Sequence, residues 1–266
     1  MSTGTTVNYA YNSSWKDQLT SFNGQSISYD HIGNPLTYGN KTFTWTRGKL
    51  LSSVNDGNKL TRFTYDASGR RIEKSIGSTY YEYLYDGDKL LQMSIQTPGN
   101  CDYMTFAYDE QGVIGFNYKD KSYVYVRNLF GDITEIHDQD HCVAKYTYDA
   151  WGNCTAQDLS NPDEDSLHEL NPFRYRGYVY DHETDLYYFN FRYYSPEWVR
   201  FVSPGKASSL NTGAINGLNL YAYANNNPLH YQGFVNGAAG NSTNVLSSPN
   251  HMGGNIWSIA NGKCEQ

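Results

Sequence analysis

Residues 174–204 read RYRGYVYDHETDLYYFNFRYYSPEWVRFVSP, and their pattern decides the fold. Tyr175, Tyr178, Tyr180, Tyr187, Tyr188, Tyr193 and Tyr194 fall close together here, with Phe189, Phe191, Trp198 and Phe201 beside them. Through Tyr187, Phe189, Phe191 and Tyr193 a large ring recurs at every second position, the period of a strand with one buried face. Asp181-His182-Glu183-Thr184-Asp185 is a polar break before that run, and Ser195-Pro196-Glu197 is one after it. The stretch reads as strand–turn–strand with an aromatic face.

The same residues resemble the signature that closes the core of Rhs/YD-repeat proteins, roughly Y-R-G-Y-x-Y-D-x-E-T-G-L-Y-Y-L-x-x-R-Y-Y-x-P-x-x-G-R-F. It stands here as Tyr175-Arg176-Gly177-Tyr178-Val179-Tyr180-Asp181, then Glu183-Thr184-Asp185-Leu186-Tyr187-Tyr188. Arg192-Tyr193-Tyr194-Ser195-Pro196 and Arg200-Phe201 complete it, with Val199 in place of the glycine before Arg-Phe. The run Asn219-Leu220-Tyr221-Ala222-Tyr223-Ala224-Asn225-Asn226-Asn227-Pro228 resembles the family's N-L-Y-A-Y-C-x-N-N-P, with Ala224 for the cysteine.

Working backwards from the signature, Tyr-Asp followed by Gly recurs. It stands at Tyr29-Asp30, Tyr65-Asp66, Tyr85-Asp86, Tyr108-Asp109 and Tyr148-Asp149, with divergent copies at Trp45…Gly48 and Val126…Gly131. The interval suits two short strands and two turns, so each unit is one β-hairpin, too small to be stable alone. The tyrosine ends a strand and lays its ring on the next hairpin. The aspartate accepts backbone N–H bonds in the turn, and the glycine supplies the positive φ. The expected fold is all-β: consecutive hairpins in a curved or spiral sheet. The resemblance further implies a partial β-shell with the signature curling inward as a plug. Residues 1–24 form a loosely repeat-like lead-in, 25–160 the hairpin array, 161–231 the signature region, and 232–266 a Gly/Asn/Ser-rich tail.

Tyrosine supplies 26 of the 266 residues, so rings must provide much of the buried surface. A net charge of −7 argues against nucleic-acid binding, and no apolar run is long enough to span a membrane. No signal peptide is visible at the start, and the resemblance implies secretion or surface display within a longer precursor. Cys101, Cys142, Cys154 and Cys264 are scattered, with no Cys-x-x-Cys pair; free thiols are expected, with Cys142–Cys154 the pairing considered.

No nucleophile motif, phosphate loop or cofactor signature is present. His137-Asp138-Gln139-Asp140-His141 has the look of a metal cluster, but it brackets a polar break between two strand-like runs and reads as a hairpin turn. The resemblance implies a non-enzymatic module that houses or presents a C-terminal effector or toxin, its partners being further repeats and that effector. A glycan-binding module using tyrosine-lined surfaces is an alternative. Self-cleavage by an aspartyl-type core is disfavoured, because Asn227-Pro228 continues as Leu229-His230-Tyr231 without the family's Asp-Pro-x-Gly element.

Overall fold

The computed structural model describes residues 6–139, 141–162, 164–189, 191–207, 210 and 217–230. The expected tail, with Cys264, lies outside them. The first strands are β1 (Tyr9–Tyr11), β2 (Leu19–Phe22), β3 (Gln25–Tyr29), β4 (Pro35–Tyr38), β5 (Lys41–Thr46) and β6 (Leu50–Asn55). There follow β7 (Leu60–Tyr65), β8 (Arg71–Ile76), β9 (Thr79–Asp86), β10 (Lys89–Thr97) and β11 (Asn100–Asp109). The series ends with β12 (Gly112–Tyr118), β13 (Lys121–Arg127), β14 (Ile133–His137), β15 (Cys142–Tyr148) and β16 (Cys154–Asp158). Each pairs antiparallel with the next in chain order, giving one open 16-stranded meander. A helical turn, α1 (Leu167–Leu170), leads to a second sheet of β17 (Val179–Asp181), β18 (Leu186–Phe189), β19 (Arg192–Ser195) and β20 (Arg200–Phe201). This small inner sheet packs on the apolar face of the large one.

The repeated turns explain the meander. At Asp30 one carboxylate oxygen accepts the N–H groups of Ile32 and Asn34, and Gly33 sits at φ +90°. Asp149 does the same for Trp151 and Asn153, with Gly152 at +88°. Asp66 accepts from Ser68 Oγ and Arg70 N, and Asn128 plays the part in the divergent copy, accepting from Phe130 and Asp132. Asp109 accepts from Gln111 N in a shorter turn. Asp86 differs: it pairs with Lys89 across a two-residue Gly87-Asp88 connection, so the ladder itself closes that turn.

The anchor rings reach the preceding hairpin rather than the next one. Tyr29 donates its hydroxyl to Leu19 O (2.6 Å), Tyr65 to Leu51 O (2.6 Å), Tyr108 to Leu90 O (2.9 Å) and Tyr148 to Ile133 O (2.7 Å). Trp45 makes the equivalent bond through its indole N–H to Pro35 O. The direction follows from register: the anchor ends its strand, and the strand alongside it on that edge belongs to the hairpin before. Tyr85 is the exception, its buried hydroxyl without a partner and its ring under the Arg70 guanidinium at 5.0 Å.

Burial pushes the phenols of Tyr125, Tyr187, Tyr193 and Tyr223 well above the ordinary 10.0. The folded state therefore holds them neutral where the unfolded chain would ionise them. Their contribution to stability is complete below pH 10 and is lost as pH rises through the folded values. Urea midpoints should be flat up to about pH 9.5 and fall steeply beyond it, with phenolate absorbance appearing in the unfolding transition. Ionisation of most tyrosines near pH 10 with the β-structure intact would contradict this packing.

Candidate functional site: the seat of the inner sheet

The signature was expected to bury one face; the structure buries both. All four residues of β18 are buried, because the inner sheet lies between the large sheet on one side and the last repeat turn with residues 217–230 on the other. A strand covered twice shows a near-continuous apolar run, which is what Leu186-Tyr187-Tyr188-Phe189 is. Cross-strand pairing of Tyr187 with Tyr194, and of Tyr188 with Tyr193, sorts the four rings between the two faces.

One face seats on the last YD turn. Tyr175, Tyr194 and Tyr187 donate their hydroxyls to three successive carbonyls, Ala150 O (2.9 Å), Trp151 O (2.7 Å) and Gly152 O (2.9 Å). Around them Tyr175, Tyr187, Phe189, Tyr194, Phe201 and Tyr223 form one aromatic cluster, Tyr194 and Tyr223 lying 4.2 Å apart. A Cβ on Gly152 would stand 2.7 Å from the Tyr175 ring, so close approach demands glycine there as much as the backbone does. Tyr180 lies against Tyr187 at 4.8 Å.

The other face meets the large sheet through an ion pair. Arg71 Nη1 lies 2.5 Å from Asp181 Oδ2, both side chains fully buried; Lys74 Nζ reaches Asp181 at 3.4 Å and Glu183 at 3.0 Å. Tyr188 accepts the Arg71 backbone N–H, and its ring lies under the guanidinium at 4.5 Å. Tyr193 shares a hydroxyl hydrogen bond with the anchor Tyr65 (2.9 Å). Burial pulls the Arg71 pKa down, but Asp181 together with Tyr83, Tyr193 and Tyr85 outweighs it and the net shift is upward; for Lys74 the neighbours Tyr83, Asp181 and Glu183 outweigh burial in the same way.

The pair was missed in the sequence although a signal existed. Opposite the anchor tyrosines and Trp45 the other repeats carry Pro35, Leu51, Leu90, Val113 and Cys154, whereas Tyr65 faces Arg71. A charge in an otherwise apolar column points to a counter-charge elsewhere.

The signature arginines tie the inner sheet to backbone carbonyls. Arg176 donates to Phe130 O and Pro228 O while its N–H meets Asp132 (2.8 Å). Arg192 donates to Ser203 O and Leu220 O over the Phe201 ring, burial pushing its pKa down to about 9. Arg200 donates to Asp17 O (2.7 Å). After Pro196, Glu197 accepts the Tyr38 hydroxyl (2.9 Å), and burial together with that carboxylate pushes the phenol up to about 12. Arg176 at φ +56° precedes Gly177 at +68°. Asp185 (+60°) and Val199 (+59°) occupy left-handed positions where the signature pattern has glycine.

His137 and His141 do not converge. His141 turns to Asp138 (3.3 Å) and His137 to Glu135 (2.6 Å). Cys101, Cys142 and Cys154 are free thiols. The considered Cys142–Cys154 bridge does not form, since Cys154 pairs with Tyr148 at the opposite end of the β15–β16 hairpin. Burial pushes the Cys154 thiol up. Between the sheets, beside Lys74, Glu169, His182 and Glu183, lies a cavity of about 20 Å³, room for one water. The arrangement seals a surface rather than opening a cleft. Among the described residues no helix is long and apolar enough to cross a membrane.

The Teneurin YD-shell family model matches residues 2–229, and the chain belongs to that family, among the Rhs/YD-repeat proteins. It is 38% identical over 231 residues to the tRNA nuclease WapA of Bacillus subtilis and 37% identical to the tRNA3(Ser)-specific nuclease WapA of Bacillus spizizenii. Each match covers 84% of this chain and 10% of the relative, so the chain spans about a tenth of those proteins' length. Salivary gland surface protein 1 of Aedes aegypti is 25% identical over 66% of this chain and 5% of its own. Among solved structures, TcdB2-TccC3 superposes with a TM-score of 0.63 at 19% identity, over 87% of this chain and 13% of that one. The Photorhabdus luminescens Tc holotoxin pore gives 0.55 at 18%, over 90% and 13%. These likenesses show the shell fold.

Two stability measurements test the seat. Asp181→Ala strands the buried Arg71 guanidinium, Lys74 keeping Glu183, and should cost about 3–5 kcal/mol in urea unfolding, a loss that added salt does not reproduce. A loss below about 1 kcal/mol would show that the pair is not buried as described. Val199→Gly relieves a β-branched residue at positive φ and should gain about 1 kcal/mol.

Proposed function

We propose that this member of the YD-shell family is a wall segment: a structural module that, within a longer secreted or surface polypeptide, helps to enclose or present a C-terminal effector. The observation that carries this reading is the seat itself. The signature residues are spent on clamping turn carbonyls and a buried ion pair, and the cavity beside them has room for no more than about one water. In this reading 25–160 is the wall, 161–231 the inward plug, and 1–24 the approach from a preceding segment. Among the described residues β1 lies at the edge of the large sheet and Tyr9–Tyr11 is exposed throughout; such an edge is a template for another strand, which supports that last point. The family membership and the small share of its relatives that the chain spans agree with a part of a larger container. In the same reading the nuclease activity in the WapA names resides in a different segment from the one matched here.

The purified chain should leave tRNA intact. Expressed with its native flanking polypeptide and a protease-sensitive passenger appended after the plug, it should protect the passenger until denaturant opens the wall. Cleavage of tRNA abolished by one point substitution in this chain, or a passenger digested equally fast with and without the wall, would overturn the proposal.

A further inference from the structure

The β14–β15 hairpin brings together three side chains that the seat does not use. Glu135 and His137 are two apart on β14 and so project to the same side. Register then adds a third. Ile136 pairs with Ala144 but His137 pairs with Cys142, leaving Val143 as the extra residue of a bulge. Without the bulge Cys142 would fall on the Ala144 side; with it, Cys142 is re-aimed to stand across from His137. The ligand atoms of Glu135, His137 and Cys142 all lie within 4.8 Å of one another, and Glu135 Oε2 already stands 2.6 Å from His137 Nε2.

We propose that Glu135, His137 and Cys142 form a binding site for one borderline-soft divalent cation of the zinc class. Zinc bonds of about 2.0–2.3 Å to oxygen, nitrogen and sulfur place tetrahedral ligands about 3.5 Å apart; the Glu135–His137 pair at 2.6 Å has to open and any separation near the 4.8 Å limit has to close, adjustments that side-chain rotation supplies. A carboxylate, an imidazole and a thiolate together select zinc, cobalt(II) or nickel(II) over magnesium or calcium. Lys145 holds the other Glu135 oxygen at 3.3 Å, which turns Oε2 towards the site. The Asp138–His141 turn fastens the two strand ends: Asp138 N donates to His141 O, and Asp138 Oδ1 accepts from His141 N. The three groups are partly exposed, so a cation can enter from solvent and water can fill a fourth position.

The full chain, stripped with a chelator, is titrated with cobalt(II) and then zinc. One cobalt per chain should bind with a near-ultraviolet thiolate-to-cobalt band, and one equivalent of zinc should abolish it. Cys142→Ser should lose the band while melting as the parent does without metal, and His137→Ala should weaken zinc binding at least about tenfold. If Cys142→Ser does not fold, His137→Ala and Glu135→Gln report on the same band. Absence of any band with cobalt in excess, or a band unchanged in these variants, would overturn the proposal.

Discussion

A tyrosine hydroxyl donated to a backbone carbonyl is the interaction on which this structure rests. An antiparallel meander leaves carbonyls at its turns and strand ends that a second layer would bury, and a buried carbonyl without a donor costs free energy. Phenylalanine could cover such a place but not satisfy it. Tyrosine does both, since its ring packs and its hydroxyl reaches the oxygen. Tyr29, Tyr65, Tyr108 and Tyr148 do this between hairpins; Tyr175, Tyr187 and Tyr194 do it between the two sheets. The tyrosine-rich composition follows from that double duty.

Aromatic packing alone would not choose one position for the inner sheet, because rings slide across an apolar face at little cost. The Arg71–Asp181 pair supplies the choice. A buried ion pair adds little stability over an apolar replacement, yet leaving either member unpaired is costly. Displacement of β17 by one residue would carry Asp181 to the other side of its strand, stranding Arg71 and Lys74 together. The pair is thus a register pin, with Tyr188 and Tyr193 packed around the guanidinium.

Much of this was legible in the residues, and the limits have physical causes. The Tyr-Asp…Gly period marked the hairpins, because turn chemistry is local: Asp30 and Gly33 need only their neighbours. The anchor's direction was misjudged, since whether Tyr65 leans back or forward depends on which strand edge lies beside it. The double burial of β18 was hidden because period-2 reading cannot tell one cover from two when tyrosine counts as apolar. Asp181 stood in the signature, but its partner lies far back in the chain, and only the column of apolar residues opposite the anchors marks Arg71 as odd. At the His137 turn the two histidines were the visible cluster, while the bulge that moves Cys142 leaves no trace in spacing.

Arg71 and Lys74 have a further consequence for the order in which the molecule is made. The meander is built from neighbours in sequence and can form as the chain emerges, whereas the plug must wait for residues more than a hundred positions later. In that interval the nascent wall displays an oily face to water. Two cations in its middle give that face charge and hydration, and like charges on identical faces repel, which discourages the premature stacking of one half-made wall on another. Arrival of Asp181 and Glu183 then neutralises the deterrent and closes the surface in one step.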